Sequence, residues 1–253
     1  MSISRRTLLA SGGGLVVAFS LRSAGAAEPG GTPPTAAPTP LPGSLKQTPR
    51  LDAWLRVAPD GHITLFTGKA ELGQGLSTAL LQIAAEQLEV APTAIELVMA
   101  DTGRTPNEVF TAGSHSMQDS GTAILNAAAQ VRALLVQAAA DQWSLAPVTL
   151  SARDGAVHAS DGRSLTYGAL AAKLNLQVDA QPASPLKDPG SYRLMGTPVP
   201  RIDIPAKVTG GPSYVQDMRL PGMLHARAVR QPSAGATLLD VDTGPIERMP
   251  GVV

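Results

Sequence analysis

The stretch GKAELGQGLSTALLQIAAEQL, Gly68 to Leu88, places Gly73, Gln74 and Gly75 between an extended segment and a segment with helical periodicity. Glycine weakens regular structure, so two glycines at a helix start indicate a sharp turn or the close approach of another group. The first N–H groups of a helix have no intrahelical acceptor, which suits an anionic ligand. The stretch therefore predicts a strand–loop–helix unit whose loop is a candidate anion-binding site.

A second loop has the same relation to a helix. The polar stretch TGRTPNEVFTAGSHSMQDSG separates a predicted strand, 95–100, from a predicted long Ala-rich helix, 121–143. Loops of this length inside a compact domain are usually functional. Residues 73–75 and 111–116, at the centres of the two loops, contain no Lys or Arg. Backbone amides, Gln74 and serine hydroxyls would therefore meet a ligand's charge, which favours a large buried anionic cofactor over a mobile phosphate.

A purely structural interpretation stays open for both loops. The glycines could mark the start of a helix and the serines could cap it. The third glycine of a dinucleotide-binding fingerprint is absent, because that position is Thr78, and no Gly-Lys-Ser/Thr phosphate-binding motif occurs.

Composition excludes several classes of protein. The net charge of zero gives no electrostatic signature for nucleic acid or anionic lipid. Without cysteine the chain itself cannot hold an iron–sulfur cluster, a thiolate zinc site or a disulfide. Its four scattered histidines lack metal-ligand spacing, so we predict no metal ligands.

The pattern of elements predicts an α+β fold. Asp-Gly turns at 60–61 and 154–155 each indicate a hairpin, and helical spacing predicts a helix over 77–89. SLTYGALAAKL predicts a short helix capped near Thr166, and a proline-rich stretch, 177–190, is a candidate domain boundary. Beyond it SYVQDM, MLHARAVRQ and ATLLDVD are interpreted as strands, and residues 245–249 as one helical turn.

The N-terminus has the layout of a secretory signal. Arg5 and Arg6 precede a glycine-diluted apolar run and the small-residue stretch SAGAA, which is typical of the twin-arginine route for folded proteins. We expect a signal peptide over 1–27, a proline-rich linker over 28–50, and a periplasmic protein without a membrane span after cleavage. A membrane anchor is the alternative, although the run is shorter than the roughly 20 residues needed to span a bilayer.

The motifs E-x-G-Q-G, T-A-x-x-Q, D-T-x-x-T-P and T-A-G-S-x-S follow one another between Glu71 and Ser116. In this order they resemble the molybdopterin-binding region of the xanthine dehydrogenase family. The segment from YRLMGTPVPRIDIPAKVTGG onward is similar to the opening of that family's hammerhead-like α/β domain. The resemblance covers the chain from about residue 51 to its end. It implies a molybdopterin-binding domain portion over 51–190 and an incomplete hammerhead-like domain over 191–253.

The order of these segments resembles the isoquinoline 1-oxidoreductase and nicotinate dehydrogenase branch of the family. That resemblance implies a molybdenum–molybdopterin cytosine dinucleotide cofactor, with [2Fe–2S] clusters on a separate small subunit. The implied partners are that iron–sulfur subunit, the remaining large-subunit polypeptide and a small-molecule substrate. The implied reaction is oxidative hydroxylation of an N-heterocycle or aldehyde.

The resemblance also implies the cofactor-binding residues. It places Gln74 near the molybdenum, with the two flanking glycines bringing backbone to the cofactor, and it places the second loop along the pterin and its phosphates. Molybdenum in this family is held by the pterin, so no protein ligand is implied. The implied cofactor-binding residues are Gly73, Gln74, Gly75, Thr111, Ala112, Gly113, Ser114, His115 and Ser116.

No catalytic residue is assigned to this chain. The family's catalytic glutamate lies near the C-terminus of a longer subunit, in a region that this sequence does not include. Glu71, without an evident partner, and Glu86, on a helix, are interpreted as ordinary solvated carboxylates. Two alternatives therefore stay open: a catalytically silent fragment acting as an assembly or interaction module, and a cofactor-free periplasmic binding protein.

Overall fold

The computed structural model describes residues 39–253, and the predicted signal peptide and the linker up to residue 38 lie outside this range. The first sheet contains β1 (Leu55–Val57), β2 (Ile63–Thr67) and β3 (Ile95–Met99) in that order. β1 pairs antiparallel with β2, whereas β2 pairs parallel with β3, Ile63 opposite Ile95. The second sheet is an antiparallel meander of β4 (Leu150–Arg153), β5 (Ala156–Ala159) and β6 (Ser164–Thr166).

Within residues 39–253, two long α-helices and three short ones accompany the sheets. α1 (Leu76–Leu88) connects β2 to β3, because parallel neighbours need a crossover connection. A π-helical turn over Met117–Gly121 leads into α2 (Thr122–Trp143). The short helices are α3 (Tyr167–Ala171), α4 (Ile204–Thr209) and α5 (Gly244–Glu247).

The two long helices form the core with the first sheet. One stripe along α2 is fully buried and consists of Ile124, Ala128, Val131 and Leu135. Alanines lie on the buried faces of both helices, including Ala84 on α1 and Ala128 on α2, and these small side chains allow close packing. Residues 117–143 are apolar and long enough to cross a bilayer, but 61% of their most apolar stretch is buried inside this domain.

The predictions that rest on short stretches of sequence are confirmed for both hairpin turns, one long helix and one helix cap. Both Asp-Gly turns connect antiparallel strands, and the predicted helix over 77–89 is α1, displaced by one residue. Thr166 caps α3, accepting a hydrogen bond from the Ala169 N–H at 3.2 Å. The mixed α/β fold class is confirmed, whereas the domain limits stay predictions.

The strands predicted near the end of the chain are wrong. Within residues 39–253 no strand follows β6, and SYVQDM forms a 3-10 turn over Val215–Asp217 instead. A strand needs a neighbour for its N–H and C=O groups, and no described segment supplies one here. β6 was not predicted, because SLTYGALAAKL was interpreted as a single short helix although its first three residues form a strand. The predicted turn at 245–249 is confirmed as α5.

Glu86 is not a solvated carboxylate, contrary to the sequence-based interpretation. Its side chain is 1% exposed, forms an ion pair with Lys187, and accepts hydrogen bonds from the N–H groups of residues 193–195. Lys187 also lies 2.7 Å from Glu89. These contacts attach the 187–195 segment to α1.

Candidate functional site

The fold brings the two candidate loops to one edge of the first sheet. Residues 68–75 follow β2 and lead into α1, and residues 100–116 follow β3 and lead towards α2. Because β2 and β3 are parallel neighbours, their carboxyl ends meet at the same edge, where open α/β sheets bind their ligands. The Ala70 N–H donates to Thr111 Oγ1 at 2.8 Å, so the loops are in direct contact.

A cleft of about 410 Å³ lies between the two loops. Apolar side chains of Leu72, Leu76, Ala79 and Met117 complete its wall. Seven of the nine predicted binding residues line it: Gln74, Gly75, Thr111, Ala112, Gly113, Ser114 and Ser116.

The other two predicted residues lie elsewhere. Gly73 lines a separate cleft beside Lys207 and Tyr214. His115 lines a neighbouring cleft of about 360 Å³, where its Nδ1 is 3.9 Å from Asp119 Oδ2.

The first loop is held by Glu71. Its Oε1 accepts from the N–H groups of Gly73 (2.8 Å) and Gly75 (2.9 Å), and its Oε2 accepts from the Ser77 N–H and hydroxyl, both at 2.9 Å. Burial alone would raise the pKa of this carboxyl, but these hydrogen bonds lower it. The expectation that Glu71 has no partner is therefore wrong, as is the expectation that the Gly73 and Gly75 amides point at a ligand.

The glycines of the first loop are required by its backbone. Gly73 and Gly75 have φ values of 101° and 83°, a region that residues with a side chain rarely adopt. The Gln74 side chain folds back on the same loop, accepting from the Leu72 N–H and donating to the Ala70 carbonyl at 3.1 Å. The hydrogen-bonding groups of Gln74 and the amides of both glycines are thus paired within the loop. Gln74 and Gly75 form part of the cleft wall.

The second loop supplies the available donors. Gly113 and Ser114 both have positive φ, 64° and 59°, which turns the backbone sharply at the cleft. The N–H groups of Gly113, Ser114 and Ser116 have no hydrogen-bond acceptor among residues 39–253. Successive amides in such a turn form a concave donor surface for an anion.

Sequence reasoning missed a charged residue beside the first loop. Arg201 lies against Gly75, where an added Cβ would be 3.5 Å from its Cζ. Its guanidinium is paired with Asp203, with Nη2 to Oδ2 at 2.7 Å, and this partner lowers the pKa of the Asp203 carboxyl. Arg201 follows Gly75 by 126 residues in the sequence (201 − 75), and no sequence motif connects the two.

Two buried residues that join the loops, Lys69 and Glu108, were also missed. Lys69 Nζ donates to the carbonyls of Glu108 (2.8 Å) and Phe110 (3.0 Å). Glu108 Oε2 accepts from Thr67 Oγ1 at 2.7 Å and from the Gly68 N–H at 2.9 Å. Its Oε1 is buried and has no donor among residues 39–253. In the sequence, the only signal of this role is that Lys69 and Glu108 are charged residues within the two candidate stretches.

Within the described part of the chain, no three His, Asp or Glu side chains are placed to hold a metal ion. The cleft also contains no charged side chain of its own. The cleft presents backbone and hydroxyl donors from the second loop, and carboxamide and apolar groups complete its lining.

Comparison with known proteins gives the site a context. Residues 28–211 match the family model described as a molybdopterin cofactor-binding domain. A component of nicotinate dehydrogenase from Pseudomonas putida is 40% identical over 211 residues, covering 80% of this chain and 18% of that protein. The beta chain of isoquinoline 1-oxidoreductase from Brevundimonas diminuta is 31% identical over 290 residues, covering 99% of this chain and 36% of that protein.

Among solved structures, quinoline 2-oxidoreductase from Pseudomonas putida 86 aligns with a TM-score of 0.41 and 27% identity. The alignment covers 46% of this chain and 15% of that one. The chain thus spans a minor part of the length of each relative.

Proposed function

The chain belongs to the family of molybdopterin cofactor-binding domains, and from that premise we propose that its cleft holds the pterin and phosphates of a molybdopterin cofactor. The observation that carries this proposal is the meeting of the two loops at one cleft. Its volume of about 410 Å³ falls within the range of about 300–1,000 Å³ common for small-molecule sites.

The two loops would do different work. The amides of Gly113, Ser114 and Ser116 would donate to phosphate oxygens, together with the hydroxyls of both serines. Gln74 and Gly75 would form the opposite wall, which Glu71 keeps in a fixed shape. When bound, the cofactor supplies the redox chemistry at molybdenum, and these residues bind and orient it.

At the level of the whole protein, we propose part of a molybdenum hydroxylase large subunit that oxidatively hydroxylates an N-heterocycle or aldehyde. The names of the two relatives support this reaction class. We further propose the cytosine dinucleotide form of the cofactor, the remaining large-subunit polypeptide as one partner, and a small subunit with [2Fe–2S] clusters as another. The absence of cysteine agrees with iron–sulfur clusters on a partner.

We also propose export of the folded protein to the periplasm by the twin-arginine route, with no membrane span after cleavage. Arg5, Arg6 and the apolar run after them support this proposal. Export in the folded state would suit a protein that receives its cofactor before it leaves the cytoplasm.

The direct test is to measure molybdenum and pterin in the chain purified with its partners from its native host. We expect both in near-equal amounts. The Ser114→Ala/Ser116→Ala double variant removes two hydroxyl donors, so we expect cofactor affinity to fall about tenfold. Ser160→Ala, on the exposed turn before β6, is the matched control. A folded wild-type complex without molybdenum and pterin would contradict the proposal.

A second candidate function is a catalytically silent assembly or interaction module. It is favoured by the large apolar side chains exposed beyond α4, such as Val229 (99% exposed) and Leu239 (93% exposed), which a protein partner could cover. The same measurement separates the two, because the silent module would form a stable complex that lacks the cofactor.

A further inference from the structure

The segment after β2 contacts the second loop through every one of its first three residues. The Gly68 N–H donates to Glu108 Oε2, Lys69 Nζ donates to two carbonyls, and the Ala70 N–H donates to Thr111 Oγ1. We call this set of contacts between residues 68–70 and residues 106–111 the clasp. One of its members, Thr111, also lines the proposed cofactor cleft.

The clasp is reciprocal. The Lys69 side chain binds main-chain carbonyls of the second loop, and the Glu108 side chain binds a main-chain N–H of the first. Each loop thus supplies one buried charge to the backbone of the other. Gly68 makes the close approach possible, because an added Cβ would lie 2.2 Å from the Pro106 carbonyl oxygen.

Lys69 is the centre of this arrangement. Its side chain is 3% exposed, and a buried ammonium is costly unless its donors are satisfied. The carbonyls of Glu108 and Phe110 take two donors, and Asp119 Oδ2, in the turn before α2, lies 4.0 Å away. The ammonium therefore connects both sides of the Thr111–Ser116 loop.

We propose that Lys69 is a positioning residue, which fixes the Thr111–Ser116 loop against the Gly73–Gly75 loop before any cofactor arrives. This inference rests on the proposed function for its purpose, but not for its geometry. Loss of the ammonium would leave the carbonyls of Glu108 and Phe110 without this donor and release the loop to move. A preformed cleft binds its ligand without the entropic cost of ordering the loop.

The test measures the distance between the loops in the full-length cofactor-free chain. The sequence contains no cysteine, so spin labels can be attached uniquely to Leu72→Cys and Phe110→Cys, which replace side chains 71% and 80% exposed. We expect a narrow distance distribution with Lys69 present. In Lys69→Met the distribution should widen at least about twofold, as for a locally unfastened loop. Lys173→Met, which removes an exposed lysine paired with Gln142, should leave it narrow.

A second label pair, Val148→Cys and Ser160→Cys, lies beside the second sheet and away from the clasp. It should not change in Lys69→Met, since a positioning role is local. An unchanged loop distance, or equal widening at both pairs, would overturn the inference. Should Lys69→Met not fold, Lys69→Gln takes its place, because a neutral amide with a shorter stem cannot reach both carbonyls.

Molybdopterin content separates this inference from the proposed function. If both hold, Lys69→Met purified from the native host retains several-fold less pterin than Lys173→Met. If the wild-type chain contains no pterin, the proposed function fails, while the distance measurement still decides the role of Lys69.

Discussion

At the scale of single residues, two buried charged side chains, Glu86 and Lys69, connect distant parts of the chain. Glu86 has partners about a hundred residues later, and Lys69 has partners about forty residues later. Burial alone would raise the pKa of the Glu86 carboxyl, but Lys187 and the N–H groups of residues 193–195 lower it to about 2. The ionised form is therefore the one that the fold stabilises.

This shift predicts how stability depends on pH. A carboxyl with a lowered pKa stabilises the fold above its unfolded value of 4.5, and that stabilisation is lost as the pH falls towards about 2. At pH 7 we expect Glu86→Gln to reduce the free energy of unfolding by on the order of 3 kcal/mol.

Urea unfolding at pH 7, 4 and 3 measures this effect. The gap between wild type and Glu86→Gln should narrow as the pH falls. Glu96→Gln serves as the control, because Glu96 forms only an exposed pair with His62. A gap that stays constant from pH 7 to pH 3 would show that the charge of Glu86 does not contribute.

Sequence reasoning succeeded where the signal is local. The Asp-Gly turns were predictable because the turn conformation depends on the residues within the turn, and Thr166 was predictable as a cap for the same reason. The partners of Glu86 and Lys69 were not predictable, because only the folded chain brings such distant segments together. Glu71 is intermediate, since its partners lie two to six residues away and a carboxylate before Gly-x-Gly could have been considered as their acceptor.

At the scale of elements, the N–H groups at the start of α1 have a hydrogen-bond acceptor in the preceding loop, the Glu71 carboxylate. The Glu71 carboxylate receives four hydrogen bonds at the helix start, the position where a carboxylate also interacts favourably with the helix dipole. It thereby determines the path of the Gly73–Gly75 loop. The sequence pattern predicted that both loops face a ligand, but it did not predict that Glu71 would occupy the amides of the first loop.

Replacing Glu71 should loosen this helix start. We expect Glu71→Ala to lower the free energy of unfolding by about 1–3 kcal/mol, because the N–H groups of Gly73, Gly75 and Ser77 lose their acceptor. Glu71→Gln should cost less, since its carbonyl oxygen still accepts. Chemical denaturation measures both, with Glu96→Ala as an exposed control. Equal stability of wild type and Glu71→Ala would contradict this role.

At the scale of the whole molecule, residues 39–211 contain all of the buried side chains of the described chain. Residues 212–253 have none, although they carry many apolar residues. Alternation predicted strands there, but strands depend on neighbours that the sequence pattern does not reveal. The family resemblance was confirmed at the level of the domain, by the match over residues 28–211 and by two relatives of the predicted branch.

Removal of residues 218–253 should therefore leave the melting temperature within a few degrees of the full chain, because little buried surface is lost. It should also reduce self-association, because exposed apolar side chains such as Leu239 are removed. Truncation after Ser184 is the contrasting variant, since it also deletes Lys187 and should lower the melting temperature strongly. Differential scanning calorimetry and light scattering check both outcomes.

The carboxylate of Glu71 also affects selectivity. A helix start whose N–H groups are unpaired binds small oxyanions, so sulfate or phosphate would compete there with the proposed cofactor. In this chain that position is already filled from within. Free inorganic anions therefore gain little at this helix, whereas a molecule broad enough to extend to the opposite serines can still be recognised.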